Sequence, residues 1–147
     1  MDIFGTTVVA IGIVGKFLQY ARSVNAADTN LKLLFDRTEH LSELLGTLHV
    51  NFQTPFVQRM ITESQNRHPR GYEGTFWRSI GRSIEDCTEL LQKLETTLRN
   101  AARGGAGMSR IFRGVRMQFQ QGEIVGYLDQ IDLYRETIQF AMTWLTL

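Results

Sequence analysis

Three histidines, one cysteine and a run of arginines are the residues from which chemistry could be built. His40, His49 and His68 do not fall into the HExxH spacing, and no CxxC occurs. His40 and Glu43 stand three apart on one predicted helix, but a zinc site needs more converging ligands, so the pair reads as a solvated helix face. "GGAG" (Gly104 to Gly107) and "GIVG" (Gly12 to Gly15) match neither a P-loop nor a dinucleotide fingerprint, which need a preceding strand and tighter spacing. The acids are scattered over helix exteriors, where solvation and local ion pairs account for them. Cys87 falls on an apolar helical seam and reads as a buried structural thiol. A lone cysteine excludes an internal disulfide framework and fits a reducing compartment. No catalytic constellation, metal site or cofactor is expected.

Charge is more informative by position than in total. The formal net charge is only +1, yet Arg99, Arg103, Arg110, Arg113 and Arg116 follow one another with no acid among them. Glycines and Phe112 are interleaved, and the flanking segments 84–98 and 117–147 are net negative. Such a junction suits anionic lipid headgroups, at about 1 kcal/mol per well-placed side chain. It also suits nonspecific nucleic-acid binding, or a solvated loop whose arginines pair with neighbouring acids. Nucleic acid is set aside because no helix presents a recognisable reading face.

The elements that must carry these residues are helices. At 147 residues, with a hydrophobic share of 43% and a charged share of 21%, the chain has the composition of one globular domain over residues 1–147. Period-two alternation is missing throughout, which predicts an all-α bundle. The first helix covers roughly 3–24, with a wide apolar arc of Phe4, Val8, Ile11, Val14, Phe17 and Leu18 and a polar stripe of Thr6, Lys16, Gln19 and Ser23. The second runs from an N-cap at Asp28 to near Phe52 along Leu31, Leu34, Leu41, Leu45, Leu48 and Phe52, with Thr38 at the one polar step. Residues 53–74 contain both prolines and predict a long irregular connection with one short helix at 56–62. Trp77, Ile80, Ile84, Cys87, Leu91, Leu94 and Leu98 mark the third helix, broken by the glycines after Arg103. The fourth begins near Ser109, with an interruption at 120–123, and carries Ile124, Leu128, Ile131, Tyr134, Ile138, Ala141 and Leu145. Helices two to four are the expected frame of a four-helix bundle.

The opening helix admits two uses. Asp2 precedes its apolar run and Lys16 follows it, unlike a secretory signal, and the unbroken apolar piece 8–14 is far shorter than the ~20 residues of a spanning helix. The chain therefore reads as soluble and cytosolic at rest. The helix is either a buried element of the bundle or an amphipathic membrane inserter, and the two can succeed one another.

Several stretches carry a family resemblance. Met1–Asp2 before a glycine-containing apolar helix, then "SVNAADTNLKLLFDRTEHLSELLGTL", "SIEDCTELLQKLETTL" and "RIFRGVRMQFQQGEIVGYLDQIDLYRETIQFAMTWL", resemble the fungal HeLo-like domains. Met117 stands where many relatives carry tryptophan. Such domains open fungal STAND (NLR-like) receptors and cell-death proteins, and are similar to the four-helix bundle of mixed lineage kinase domain-like protein and to plant RPW8-type domains. The resemblance implies a cell-death module that oligomerises on an upstream signal and permeabilises membrane. Its partners would be anionic membrane lipids, further copies of itself, and an NLR-type receptor or the remainder of a longer chain. By position, Phe4, Val8, Ile11, Val14, Lys16 and Phe17 would insert, while Arg103, Arg110, Arg113 and Arg116 would meet headgroups. A bundle that signals only through protein–protein contacts is the alternative.

Overall fold

A computed structural model describes residues 2–22, 29–67, 72–103 and 121–146, with side chains at 2–22, 32–66, 74–96 and 125–145. Among the described residues there are five helices and no strand: α1 (Ile3–Arg22), α2 (Thr29–Phe52), α3 (Pro55–Arg67), α4 (Tyr72–Arg103) and α5 (Gln121–Thr146). The all-α reading holds. Asp28, the expected N-cap of α2, and the start of the last helix over 109–120 lie outside the described residues.

Asp2 starts α1. Its Oδ1 accepts from the Gly5 N–H at 2.7 Å and its carbonyl accepts from the Thr6 N–H at 3.0 Å, which satisfies donors a helix start leaves open. The seams in α2 and α4 face inward as their three–four spacing requires. Leu34, Leu41, Leu45, Leu48 and Phe52 are buried, as are Trp77, Ile80, Ile84, Cys87, Leu91 and Leu94. Thr38 takes its place in the α2 seam because its Oγ donates to the Leu34 carbonyl at 2.7 Å, so burial leaves its hydroxyl proton satisfied.

The segment expected to be irregular is largely helical. The chain turns at Gln53 and Thr54, and Thr54 then caps α3, its carbonyl accepting from the Gln58 N–H at 3.0 Å. Pro55 occupies the first helical position, where its fixed φ helps and its missing N–H costs nothing. Val57, Met60, Ile61 and Ser64 give this helix its own apolar stripe toward α4 and α2. The short helix expected at 56–62 is present and runs further, from Pro55 to Arg67.

α1 packs on α4 and α2, α2 also on α5, and α4 on α5. The termini of the elements fix their directions. Ile3 lies against Gly81, while Thr6 and Val9 share a groove with Glu85, Thr88 and Glu89, so α1 and α4 run parallel. Phe4 meets Phe52, and Arg22 pairs with Glu39 at 3.8 Å, so α2 runs back along α1. Phe76 meets Phe140 and Trp144, which makes α5 antiparallel to α4. The first helix is thus packed into the bundle beside the helices expected to form its frame.

Phe17 is fully enclosed and stacks edge-on against Phe35 with centroids 6.0 Å apart. Phe17→Ala is expected to lower unfolding free energy by about 3–5 kcal/mol. Val8→Ala, at a surface position, should change it by less than ~0.5 kcal/mol. Urea titration of the two variants checks the contrast.

Candidate functional site

The candidate site is the outer surface of α1 and the clefts on either side of it. α1 buries Ile3, Thr6, Thr7, Ala10, Val14, Phe17, Leu18 and Ala21 and turns Val8, Val9, Gly12, Gly15, Lys16 and Gln19 outward. Burial follows side-chain size as much as polarity. Small residues (Thr6, Thr7, Ala10) face the partner helices, while two valines face solvent, Val8 at 53% and Val9 at 44% exposure. Thr7 is accommodated because its Oγ donates to the Ile3 carbonyl at 2.7 Å. Thr6, expected on the polar stripe, is instead buried, and its Oγ has no hydrogen-bond partner among the described residues.

The six residues assigned to membrane insertion therefore do not share one face. Val8 and Lys16 point outward, Phe4 and Ile11 are half-buried against the core, and Val14 and Phe17 are wholly enclosed. Phe4 stacks on Phe52 at 5.2 Å, at the edge of a cleft of about 380 Å³ bordered by Gly5, Val8, His49 and Thr62. Arg103 ends α4, its side chain outside the described set, and Arg110, Arg113 and Arg116 lie outside the described residues altogether.

Sequence reasoning missed a polar clamp between α2 and α5. Arg37 pairs with Asp132, Arg135 pairs with Asp132 at 2.8 Å, and Arg135 Nε donates to His40 Nδ1 at 2.9 Å. The signal lay in matching three-residue steps, Arg37/His40 and Asp132/Arg135, but only the packing of α2 on α5 brings them together. His40 is thereby occupied by an arginine rather than by Glu43, which is exposed. No group of three potential metal-ligating side chains occurs among the described residues.

Compared with protein-family models, curated proteins and solved structures, the chain matches none. The functional reading rests on the chain's own residues and on the resemblance they carry.

Cys87, on the inner face of α4, is 1% exposed, and burial pushes its thiol from the ordinary 9.0 up to about 12. A neutral enclosed thiol is a poor nucleophile. Native protein should leave an aromatic disulfide reagent unreacted until denaturant is added. Because folding raises this pKa, the stability it contributes is complete below about pH 9 and is lost as pH rises toward 12. Tyr134 is shifted upward too, by burial first and then by the charges of Cys87, Asp86 and Glu89, so it acts in the same direction. Denaturation midpoints measured through this alkaline range should fall.

Gly12 and Gly15 give a different test. A Cβ at either would meet nothing within 4 Å, so the resting packing does not require glycine there. Gly12→Ala and Gly15→Ala should each stabilise the fold by up to ~1 kcal/mol, read from the same urea titrations.

Proposed function

We propose that this protein is a membrane-acting bundle of the cell-death type, in which α1 is stored in the fold and exchanges protein neighbours for lipid when copies cluster at a membrane. One observation carries the reading. α1 is a 20-residue helix whose only charges are Lys16 and Arg22, long and apolar enough to cross a bilayer by length and composition. Twenty residues rise about 30 Å, the thickness of a hydrocarbon core. The unbroken apolar piece 8–14 is by itself shorter than a spanning helix, while the whole of α1 meets that measure of length and composition. Core helices of soluble proteins satisfy the same measure, and 39% of the apolar window of α1 is buried inside the bundle.

The resemblance to HeLo-like domains supports the same reading. It supplies the rest of the proposal: cytoplasmic at rest, oligomeric on activation, and drawn to anionic lipid through Arg103, Arg110, Arg113 and Arg116. The second reading, a bundle that signals through protein contacts alone, is favoured by the complete enclosure of Val14 and Phe17. In that case α1 never leaves.

The two separate with a covalent lock. A Cβ at Gly81 would lie 3.7 Å from Ile3 Cβ, close to the ~3.8 Å typical of a disulfide. The double substitution Ile3→Cys/Gly81→Cys should therefore bridge α1 to α4, with Cys87 too enclosed to interfere. Release of dye from phosphatidylserine-containing vesicles should be abolished in the oxidised form and restored by reductant. Equal leakage from both forms would refute the release of α1, and leakage from neither form, with intact wild-type leakage, calls for repeating the lock lower on the helix pair at Val9 and Thr88. Absence of leakage from the wild type itself would favour the signalling reading. Deleting α1 is not a usable substitute, because Ala10, Val14 and Phe17 are part of the core.

A further inference from the structure

His40 stands half-buried where α2 meets α5, and it is joined to α5 as an acceptor: Arg135 Nε donates to its Nδ1 at 2.9 Å. Arg135 is also held on its own helix, because its Nη1 donates to Asp132 Oδ1 at 2.8 Å. Arg37 takes the second oxygen of the same carboxylate. Two guanidiniums therefore share one carboxylate, and the imidazole supplies a further lone pair to one of them. That lone pair exists only in the neutral ring. Nδ1 accepts when the ring proton sits on Nε2, whereas an imidazolium donates from both nitrogens. Protonation would also set a third cation beside Arg37 and Arg135, with Asp132 as the single carboxylate of the clamp.

The surrounding charges offer the imidazolium other partners. Asp36 and Glu43 stand one turn to either side of His40 on α2, exposed and without an ion-pair partner among the described residues. From α5, Glu136 borders a cleft of about 510 Å³ together with Arg37, Asp132 and Arg135, and His40 does not line it. α1 brings Lys16 and Arg22, and Arg22 is paired with Glu39. α3 carries Arg59 and Glu63 but meets α2 at its far end, around His49 and Phe52. We infer that His40 is an acid-operated catch between α2 and α5. Neutral, it accepts from Arg135 and holds the two helices together. Protonated, it lets Arg135 go and pairs with Asp36 or Glu43 on its own helix, a spacing at which side chains on one helix meet. Histidine changes charge between about pH 5 and 8, so the catch is closed above that range and opens as pH falls through it. The apolar seams of both helices, Leu34, Leu41, Ile131 and Ile138 among them, do not respond to the proton. Acid therefore loosens α5 while the bundle stays folded.

This inference stands apart from the membrane reading and is tested in solution without lipid, so either can fail alone. Nitrogen-15 shifts of the His40 ring at about pH 7.5 should place the proton on Nε2. A proton on Nδ1 would overturn the proposal, since that tautomer cannot accept from Arg135. Hydrogen exchange along the α5 backbone, corrected for the intrinsic effect of pH, should accelerate about tenfold between about pH 7.5 and pH 5, where ordinary carboxylates stay ionised. His40→Asn puts a non-titrating amide oxygen near the Nδ1 position and should remove most of that acceleration. His49→Asn, at the far end of α2, should keep it. Equal protection of the wild type at both pH values, the result if Glu136 took over from the imidazole, would sink the catch. So would acceleration kept by His40→Asn or lost by His49→Asn, and so would acceleration shared equally by α1 and α4, which would belong to the whole fold.

Discussion

The enclosure of one face of α1 between α4 and α2 is the contact on which the rest depends. Ile3, Ala10, Val14, Phe17 and Leu18 have almost no solvent contact, and they complete the seams presented by the two neighbouring helices. At about 2 kcal/mol for each larger side chain, this burial amounts to something on the order of 10 kcal/mol. Whole domains of this size are stable by only ~5–15 kcal/mol. The first helix is therefore not an appendage that comes and goes thermally. Moving it requires a competing environment that takes up nearly as much apolar surface, and a bilayer or a set of clustered copies is of that scale.

The same end of the bundle ties α1 to the last helix through aromatic contacts. Phe4 stacks on Phe52, Phe52 on Trp77, Trp77 on Phe76, and Phe76 on both Phe140 and Trp144, with centroids 4.9–6.2 Å apart. Each edge-on pair adds about 0.5–1.5 kcal/mol beyond its buried area. The chain of rings crosses α1, α2, α4 and α5 in turn. At mid-height the Arg37–Asp132–Arg135–His40 clamp does the equivalent for α2 and α5. The bundle is thus closed by rings at one end and by charges along one side, while the outer surface of α1 is left with Val8, Val9 and two glycines.

The fold was legible where packing and periodicity agree. The α2 and α4 seams could be read residue by residue, including Thr38, because a helix buried on one side admits a single three–four solution. α3 was legible only in part: a short helix at 56–62 could be read, but its extent from Pro55 to Arg67 shows only when Val57, Met60, Ile61 and Ser64 are counted together. The inward face of α1 was least legible. Apolar residues occur nearly all around it, so polarity could not choose a face. The choice falls to which helices lie beside it, which turns Thr6, Thr7 and Ala10 inward together with Val14, Phe17 and Leu18. Contacts such as His40 with Arg135 depend on the pairing of α2 with α5, which nothing local to either helix encodes.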